Sequence, residues 1–363
     1  MEPKTGSWHR YVAPGRICLY GEHQDYLHLT VVPAAISLQT QIAMRKTDGD
    51  KISLYSRELD KKDVILPNNK ITLANNEFDY FRAIILALFQ KGMVSKLPGF
   101  DVTVQSDIPI GSGLSSSAAL LVAWLTALNY ELELSLTKRE IANVCFLAEH
   151  DLLKINCGIM DQYAASLGGI FALDCSEPPY SLTKFAFDFP GLVIGDSKLR
   201  RKANNPLTLL KQQLQMGLKK LAPEVQSYRT LNFEHLENKQ LTAIERQKLY
   251  GILKIREITK QAIKELQKQK NHDLEFLGRA LTEQHTILAE YLGVSIPKLD
   301  LLVKEALTAG ALGAKLTGAG LGGCIVAFAP GKEAAVAKAI ERAGGKALQC
   351  NIDFQGARKT SNV

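Results

Sequence analysis

A glycine- and serine-rich segment of this sequence has the composition of a phosphate-binding loop. It comprises Gly111, Ser112, Gly113, Leu114, Ser115, Ser116 and Ser117. Residues 100–105 alternate apolar and polar, which predicts a half-buried strand, and the apolar residues 118–128 predict a buried helix. Glycines let backbone N–H groups approach an anion, and a helix N-terminus adds unpaired donors. We therefore predict phosphate binding; a serine-capped helix after a tight turn is the alternative.

This phosphate loop (residues 111–117) matches neither of two common nucleotide-binding patterns. A Walker A loop requires Gly-Lys-Ser/Thr after its glycines, and that sequence does not follow here. A protein-kinase glycine-rich loop would place its third glycine where Ser116 stands. The loop thus indicates phosphate binding by another class of protein.

A second group of chemically active residues lies at the end of an apolar strand near the N-terminus. Arg16 falls inside that strand, where an unpaired charge is costly, so it is either paired or faces a site. Glu22, His23 and Asp25 follow, and their side chains could exchange hydrogen bonds with a polyhydroxylated ligand. The alternative is a charged turn on the surface.

Two carboxylates lie near the middle of the chain. Glu149 falls late in a predicted helix, and Asp161 follows a glycine and two apolar residues. Asp161 is therefore expected either to cap the next helix or to take part in catalysis.

A second glycine-rich segment, residues 315–324, contains Gly318, Gly320 and Gly323 at the spacing of dinucleotide-binding loops. That motif must lead into a helix, whereas residues 325–329 predict a strand. We expect instead a glycine turn that packs against another loop or against nucleotide phosphates.

Hydrophobic periodicity predicts the elements that position these residues. In the first half it predicts strands at 12–19, 31–44 and 52–56 and helices at 78–89 and 138–153. In the second half it predicts helices at 207–221, 243–267 and 274–292, another starting near Pro297, and strands at 324–329 and 347–352 around a helix at 332–343. The chain is thus expected to be an α+β protein with two domains, 1–185 and 186–363.

The bulk composition is that of a globular protein: 363 residues, 46% hydrophobic and 22% charged. The net charge of +7 comes largely from residues 198–220 and 260–270, whose apolar spacing indicates solvated helix faces rather than a nucleic-acid site. No apolar run reaches the length of a membrane span, and the N-terminus lacks the apolar core of a signal peptide. The six scattered cysteines indicate reduced thiols in the cytoplasm.

Together these motifs resemble the GHMP kinase superfamily, and within it the galactokinases. Four family motifs occur in family order: Gly-Arg…Gly-Glu-His-x-Asp-Tyr at 15–26, Pro-x-Gly-x-Gly-Leu-Ser-Ser-Ser-Ala at 109–118, Ala-Glu-His…Cys-Gly-Ile-Met-Asp-Gln at 148–162, and Gly-Ala-Gly-x-Gly-Gly at 318–323. They span most of the chain, and several match almost verbatim.

The resemblance implies a two-domain GHMP kinase fold, with an N-domain like the second domain of ribosomal protein S5 and a helix-rich, ferredoxin-like C-domain. It implies ATP and Mg²⁺ as cofactors and a sugar as substrate. The phosphate loop, Gly318 and Gly320 would bind the nucleotide, Ser117 and Glu149 the Mg²⁺, and Glu22, His23 and Asp25 the sugar hydroxyls. Asp161 would accept or orient the hydroxyl proton, and Arg16 would offset charge on the transferred group. A monomer or weak homodimer without membrane or nucleic-acid partners is expected.

The chain departs from the galactokinase pattern on the sugar side. Galactokinases continue from Asp-Tyr into Asn-x-Gly, but residues 27–29 are Leu-His-Leu, and Gln24 replaces the usual threonine. Residues 196–206 also lack the Tyr-Asn-x-Arg-Arg motif whose tyrosine contacts the sugar. The predicted activity is phosphorylation of the anomeric hydroxyl of galactose or a close relative. The alternatives are a kinase for mevalonate or another small alcohol, and an inactive sugar- and ATP-binding sensor, which the intact phosphate loop disfavours.

Overall fold

The computed structural model describes residues 6–68, 71–200 and 205–360. These residues form two β-sheets with helices packed against each. The mixed α/β architecture agrees with the expected fold class.

The first sheet has eight strands in the order β12-β1-β2-β5-β3-β4, with β6 and β7 extending from β2. Its strands are β1 (His9–Tyr20), β2 (Thr30–Thr47), β3 (Ile52–Ser56), β4 (Lys61–Ile65), β5 (Gly99–Ser106), β6 (Ile170–Asp174), β7 (Leu182–Phe185) and β12 (Arg358–Thr360). Although β12 lies far beyond residue 185, it pairs with β1 and places Thr360 opposite Arg10. The first sheet therefore takes strands from both ends of the chain.

Four helices cover this sheet through a large apolar core. They are α1 (Asp79–Gln90), α2 (Ser116–Glu131), α3 (Lys138–Phe146) and α4 (Met160–Leu167), with a π-helical turn at Leu147–Leu152 and a 3₁₀ turn at Asp25–Leu27. Trp124 of α2 packs against Phe81 of α1 and is fully buried. Because α2 is apolar on all sides, the helix after the phosphate loop is fixed in the middle of the core.

The second sheet is antiparallel, in the order β11-β8-β10-β9. Its strands are β8 (Leu192–Asp196), β9 (Gly313–Thr317), β10 (Cys324–Phe328) and β11 (Lys346–Cys350). The accompanying helices are α5 (Asn205–Lys220), α6 (Ala243–Leu266), α7 (Leu274–Glu290), α8 (Pro297–Thr308) and α9 (Glu333–Arg342), with a 3₁₀ turn at Glu234–Glu237. As predicted, α8 begins with proline, whose missing N–H is not needed in a first helical turn.

One apolar cluster crosses the junction between the two sheets. Leu19, Leu27 and Leu29 from the first half are buried in the same cluster as Leu316 and Ile325 of the second sheet. The junction is thus a continuous hydrophobic core, so residues from the two halves hold fixed relative positions.

Most predicted elements are confirmed within a few residues. Strand β3 has the predicted bounds, whereas the helix predicted at 138–153 changes to π-helical hydrogen bonding after Phe146. Short strands β4, β7, β8, β9 and β12 are elements that the sequence pattern did not predict, whereas α4 is the helix expected beside Asp161. All six cysteines are free thiols. Within the described residues, no helix is both long and apolar enough to cross a membrane.

Candidate active site

The phosphate loop connects β5 to α2 through backbone conformations that favour glycine. Gly111 and Gly113 have φ angles of 67° and 82°. Ser115 is also left-handed, with φ 62°, and α2 begins at the next residue. Since a left-handed residue turns the chain sharply, the loop ends at the first unpaired N–H groups of a buried helix, where an anion is favoured.

The C-terminal glycine segment packs directly onto this loop. A Cβ on Gly113 would lie 2.6 Å from the Thr317 carbonyl oxygen, and one on Gly318 would lie 2.6 Å from the Gly113 carbonyl oxygen. A Cβ on Gly323 would lie 2.4 Å from the Ser112 carbonyl oxygen, whereas one on Gly320 would lie 2.1 Å from the Val294 carbonyl oxygen. The predicted packing of one glycine turn on another loop is confirmed, because these backbones approach too closely for any larger residue.

Arg16 and Asp161 form a bidentate ion pair beside the phosphate loop. The Nε and Nη2 atoms of Arg16 each donate to Asp161 at 2.8 Å, and its Nη1 atom donates to the Gly113 carbonyl oxygen. The Ser115 hydroxyl donates to Asp161 Oδ2 at 2.5 Å. Asp161 lies in the first turn of α4 and points towards Arg16 and Ser115 rather than capping the helix. The charge inside β1 is therefore paired and also faces the loop.

Glu149 lies in the π-helical turn and points towards the start of α2. It is only 4% exposed, accepts a hydrogen bond from Gln162 at 2.6 Å and is hydrogen-bonded to Ser117. Burial, with a smaller contribution from the charge of Asp161, raises the pKa of Glu149 to about 7.

The Ser117 and Glu149 oxygens are of the kind that Mg²⁺ prefers. In the described part of the chain, no cluster of three or more His, Cys, Asp or Glu side chains could hold a metal by itself. A bound Mg²⁺ would thus need further oxygens from phosphate groups and water. The buried carboxylate beside Ser117 fits such a shared site, because a cation would compensate its charge.

Asp25 opens the 3₁₀ turn and lies against Gly158. A Cβ on Gly158 would be 1.9 Å from Asp25 Oδ2, so only glycine fits beside this carboxylate. Burial raises the pKa of Asp25 to about 6, and the charges of Asp161 and Glu22 add to the rise while Arg16 opposes it. Asp25 therefore lies in the same electrostatic environment as the Arg16–Asp161 pair.

Glu22 and His23 precede Asp25 in the same turn. Glu22 is 2% exposed, and its Oε2 atom accepts a hydrogen bond from Lys315 Nζ at 2.8 Å. His23 has a left-handed backbone, and its Nδ1 atom lies 3.0 Å from the Tyr26 hydroxyl. The predicted residues are thus brought together around the Arg16–Asp161 pair, which is hydrogen-bonded to the phosphate loop and whose charges act on Asp25.

Comparisons with family models and solved structures identify the family and the fold of the chain. The chain matches the GHMP kinases N terminal domain at residues 79–169, the GHMP kinases C terminal domain at 262–347 and the galactokinase galactose-binding signature at 4–46. It is 32% identical over 323 residues to the galactokinase of Pyrococcus furiosus, covering 87% of each chain. The chain belongs to the galactokinase family.

Other similar proteins include a mammalian galactokinase and solved structures of the same fold. The galactokinase of Bos taurus is 33% identical over 327 residues, covering 86% of this chain and 82% of the relative. The crystal structure of Lactococcus lactis galactokinase complexed with galactose has a TM-score of 0.85 at 26% identity, covering 98% of this chain and 95% of that one. Methanococcus jannaschii mevalonate kinase, at a TM-score of 0.75 and 23% identity, shares the fold.

Three basic residues lie near this galactokinase-type site that the sequence did not indicate as site residues. Lys315 is fully buried against Glu22, and the Arg200 side chain lies 3.6 Å from the position of a Cβ on Gly111. Lys211 Nζ lies 4.0 Å from the centroid of the Tyr26 ring. Residues 200 and 211 fall in a basic stretch interpreted only as a solvated face, and nothing in the sequence pairs Lys315 with Glu22. Residues 196–206 lack the Tyr-Asn-x-Arg-Arg motif of galactokinases, and within this segment residues 201–204 lie outside the described residues.

Proposed function

We propose that this protein transfers the γ-phosphoryl group of ATP to the anomeric hydroxyl of galactose or a closely related sugar. The observation that carries the proposal is the Arg16–Asp161 ion pair, which is hydrogen-bonded to the phosphate loop and close enough to Asp25 to influence its pKa. Phosphoryl transfer depends mainly on positioning and charge stabilisation, and this pair offers both at the place where donor and acceptor would meet.

On the donor side, the phosphate loop would hold the ATP phosphates. Backbone N–H groups of residues 111–117 and the N-terminus of α2 supply donors, and Gly318 and Gly320 belong to the turn that covers the loop. Ser117 and Glu149 would hold Mg²⁺, which would neutralise charge on the phosphates when bound.

Between the two sides, Asp161 would orient the acceptor hydroxyl and receive its proton. Three donated hydrogen bonds from Arg16 and Ser115 fix the orientation of its carboxylate. The Arg16 guanidinium would offset the negative charge that develops on the transferred group.

On the acceptor side, Glu22, His23 and Asp25 would bind the sugar hydroxyls. Carboxylates and an imidazole in a buried turn can accept and donate hydrogen bonds in fixed directions. A site built to bond hydroxyl groups rejects analogues that lack them, because its buried polar groups are then left unpaired.

A coupled ADP-release assay tests the proposal. The acceptors would be galactose, N-acetylgalactosamine, arabinose, galacturonate, fucose and mevalonate, and phosphorus NMR would identify the product. We expect turnover with galactose or a close relative and a phosphate on the anomeric oxygen. Turnover with mevalonate alone would contradict the proposal.

We further propose that the enzyme acts as a monomer or weak homodimer in the cytoplasm. The six cysteines are free thiols, as expected in a reducing compartment. Light scattering over a range of protein concentrations measures the oligomeric state. A stable tetramer would contradict the proposal.

A further inference from the structure

The turn that carries the acceptor-side residues is held by side chains from the other half of the molecule. We define the acceptor turn as residues 18–26. Lys315 of β9 donates to Glu22 Oε2 and to the Cys18 carbonyl oxygen, both at 2.8 Å. Lys315 is completely buried, so the geometry of its ammonium group is set by these two acceptors and not by solvent.

Gln284 of α7 makes the second such contact. Its Oε1 atom accepts a hydrogen bond from the Gly21 N–H at 3.1 Å. Its Nε2 atom donates to Thr259 Oγ1 at 3.0 Å, which fixes which end of the amide faces the turn. Gly21 has a φ of 87° and begins the sharp turn that leads to Glu22.

Three further hydrogen bonds cross the same junction. Thr317 Oγ1 accepts from the Cys18 N–H at 3.0 Å, and the Tyr20 hydroxyl donates to the Leu277 carbonyl oxygen at 2.8 Å. Gln24 Nε2 donates to the Ile252 carbonyl oxygen at 2.8 Å. The acceptor turn is thus bonded to α6, α7 and β9, all of which follow it by more than 200 residues.

We propose that Lys315 and Gln284 are positioning residues for the sugar acceptor. Lys315 fixes the carboxylate of Glu22, and Gln284 fixes the backbone from which Glu22, His23 and Asp25 project. Removing one partner of a buried ion pair leaves an uncompensated charge, so loss of Lys315 displaces Glu22 rather than leaving it in place. This inference rests on the proposed function, since it assigns sugar binding to the acceptor turn.

The two residues should affect the two substrates unequally. Among the described residues, the side chains of Lys315 and Gln284 make hydrogen bonds to none of residues 111–117. Acceptor affinity should therefore depend on them while nucleotide affinity does not.

The matched pair of variants is Lys315→Met and Lys220→Met. Lys220 is 2.7 Å from Glu245, a carboxylate 4% exposed, so both substitutions leave a buried glutamate without its lysine. Lys220 and Glu245 lie on α5 and α6, within the second half. Lys315→Met should raise the sugar KM about tenfold or more with the ATP KM changed less than about threefold. Lys220→Met should lower the Tm and leave both KM values unchanged.

Gln284→Met provides a second variant if Lys315→Met does not fold. It preserves the approximate volume of the side chain and removes the acceptor for the Gly21 N–H, so it should also raise the sugar KM selectively. Equal increases in the two KM values, or a lowered Tm alone, would overturn the positioning role.

Hydrogen exchange separates this inference from the proposed function. In either variant, amides of residues 18–26 should exchange faster than in the wild type, while those of residues 111–117 should exchange at the wild-type rate. This result is expected even if galactose is not the acceptor. Unchanged exchange in the acceptor turn would overturn the inference, whereas absence of turnover with every sugar would overturn only the proposed function.

Discussion

The two sides of the active site are built from different parts of the polypeptide. The phosphate loop depends on its own backbone, with positive φ angles at Gly111 and Gly113 and the start of α2 immediately after it. The acceptor turn depends on side chains that reach it from α7 and β9. A site formed by backbone groups is determined by a short sequence motif. A site positioned by distant side chains can change its specificity while its own motif stays the same.

Asp161 is hydrogen-bonded to Ser115 of the phosphate loop and its charge acts on Asp25 of the acceptor turn, so its removal should have the largest effect. Asp161→Ala removes the acceptor for Arg16 and Ser115 and should lower kcat by about a thousandfold or more, with ATP binding retained. Steady-state kinetics and calorimetric ATP titration measure the two quantities. The control is Asp151→Ala, because Asp151 is exposed and pairs only with His150 among the described residues. Near-full activity of Asp161→Ala would show that the assigned role is wrong.

Gly113→Ala should damage the donor side selectively. Alanine at φ 82° is strained, and its Cβ would lie 2.6 Å from the Thr317 carbonyl oxygen, so the loop must shift. We expect the ATP KM to rise about tenfold or more, corresponding to about 1.4 kcal/mol or more of lost binding, and the sugar affinity to change little.

Gly92→Ala is the matched control for Gly113→Ala. Gly92 also has a positive φ, 65°, but nothing lies within 4 Å of its Cβ position. A similar loss of ATP affinity in both variants would attribute the effect to general backbone strain instead of the packed loop.

Asp25 should give the acceptor side a pH dependence. With a pKa near 6 in the folded protein, it becomes protonated as the pH falls, and kcat/KM for the sugar should drop about tenfold per pH unit below about 6. The nearby charges are Asp161, Arg16, Glu22 and Lys211. A flat pH profile between 5 and 7 would show that the carboxylate form of Asp25 is not required.

The same raised pKa predicts the stability of Asp25→Asn. The folded protein binds the Asp25 proton more tightly than the unfolded chain does, so protonation of Asp25 stabilises the folded wild type. This stabilisation is fully present below about pH 4 and is lost as the pH rises through about 6. The unfolding free energy of Asp25→Asn relative to the wild type should thus increase from pH 4 to 7, by at most about 3 kcal/mol. Urea unfolding at several pH values measures it; a difference independent of pH would contradict the prediction.

The smallest effect is expected at His28, in the stretch that departs from other galactokinases. His28 has φ 60°, a conformation that glycine adopts without strain, and its Nδ1 atom lies 3.3 Å from the Cys175 carbonyl oxygen. In His28→Gly the relieved strain and the greater freedom of the unfolded chain nearly cancel, so stability should change by less than about 1 kcal/mol. Thermal unfolding checks this, and an unchanged sugar KM would separate His28 from sugar recognition.

The sequence predicted local structure better than long-range contacts. The phosphate loop and its flanking elements were predictable because turn chemistry and periodicity act over a few residues. The sequence indicated Arg16 and Asp161 as separate candidates. Their bidentate ion pair joins residues 145 positions apart in the chain, and no sequence pattern predicts such a contact. Lys315 was missed because a lysine in a short apolar segment gives no sign of its partner.

The structure also explains two residues that depart from the family pattern, which the sequence alone did not. Leu27 and Leu29 stand where galactokinases carry Asn and Gly, and both are buried in the core that crosses the junction. The acceptor turn is thus anchored by apolar side chains as well as by the polar contacts from the other half.

The pairing of β12 with β1 has a consequence for biosynthesis. A ribosome adds the phosphate loop early, but Lys315 follows it by about 200 residues and β12, which borders β1, by about 240. Both sides of the proposed site therefore stay incomplete until late in synthesis, because Gly318 packs on the phosphate loop and Lys315 holds Glu22 of the acceptor turn. We therefore expect the nascent chain to complete its active site only after nearly all of its residues have been synthesised.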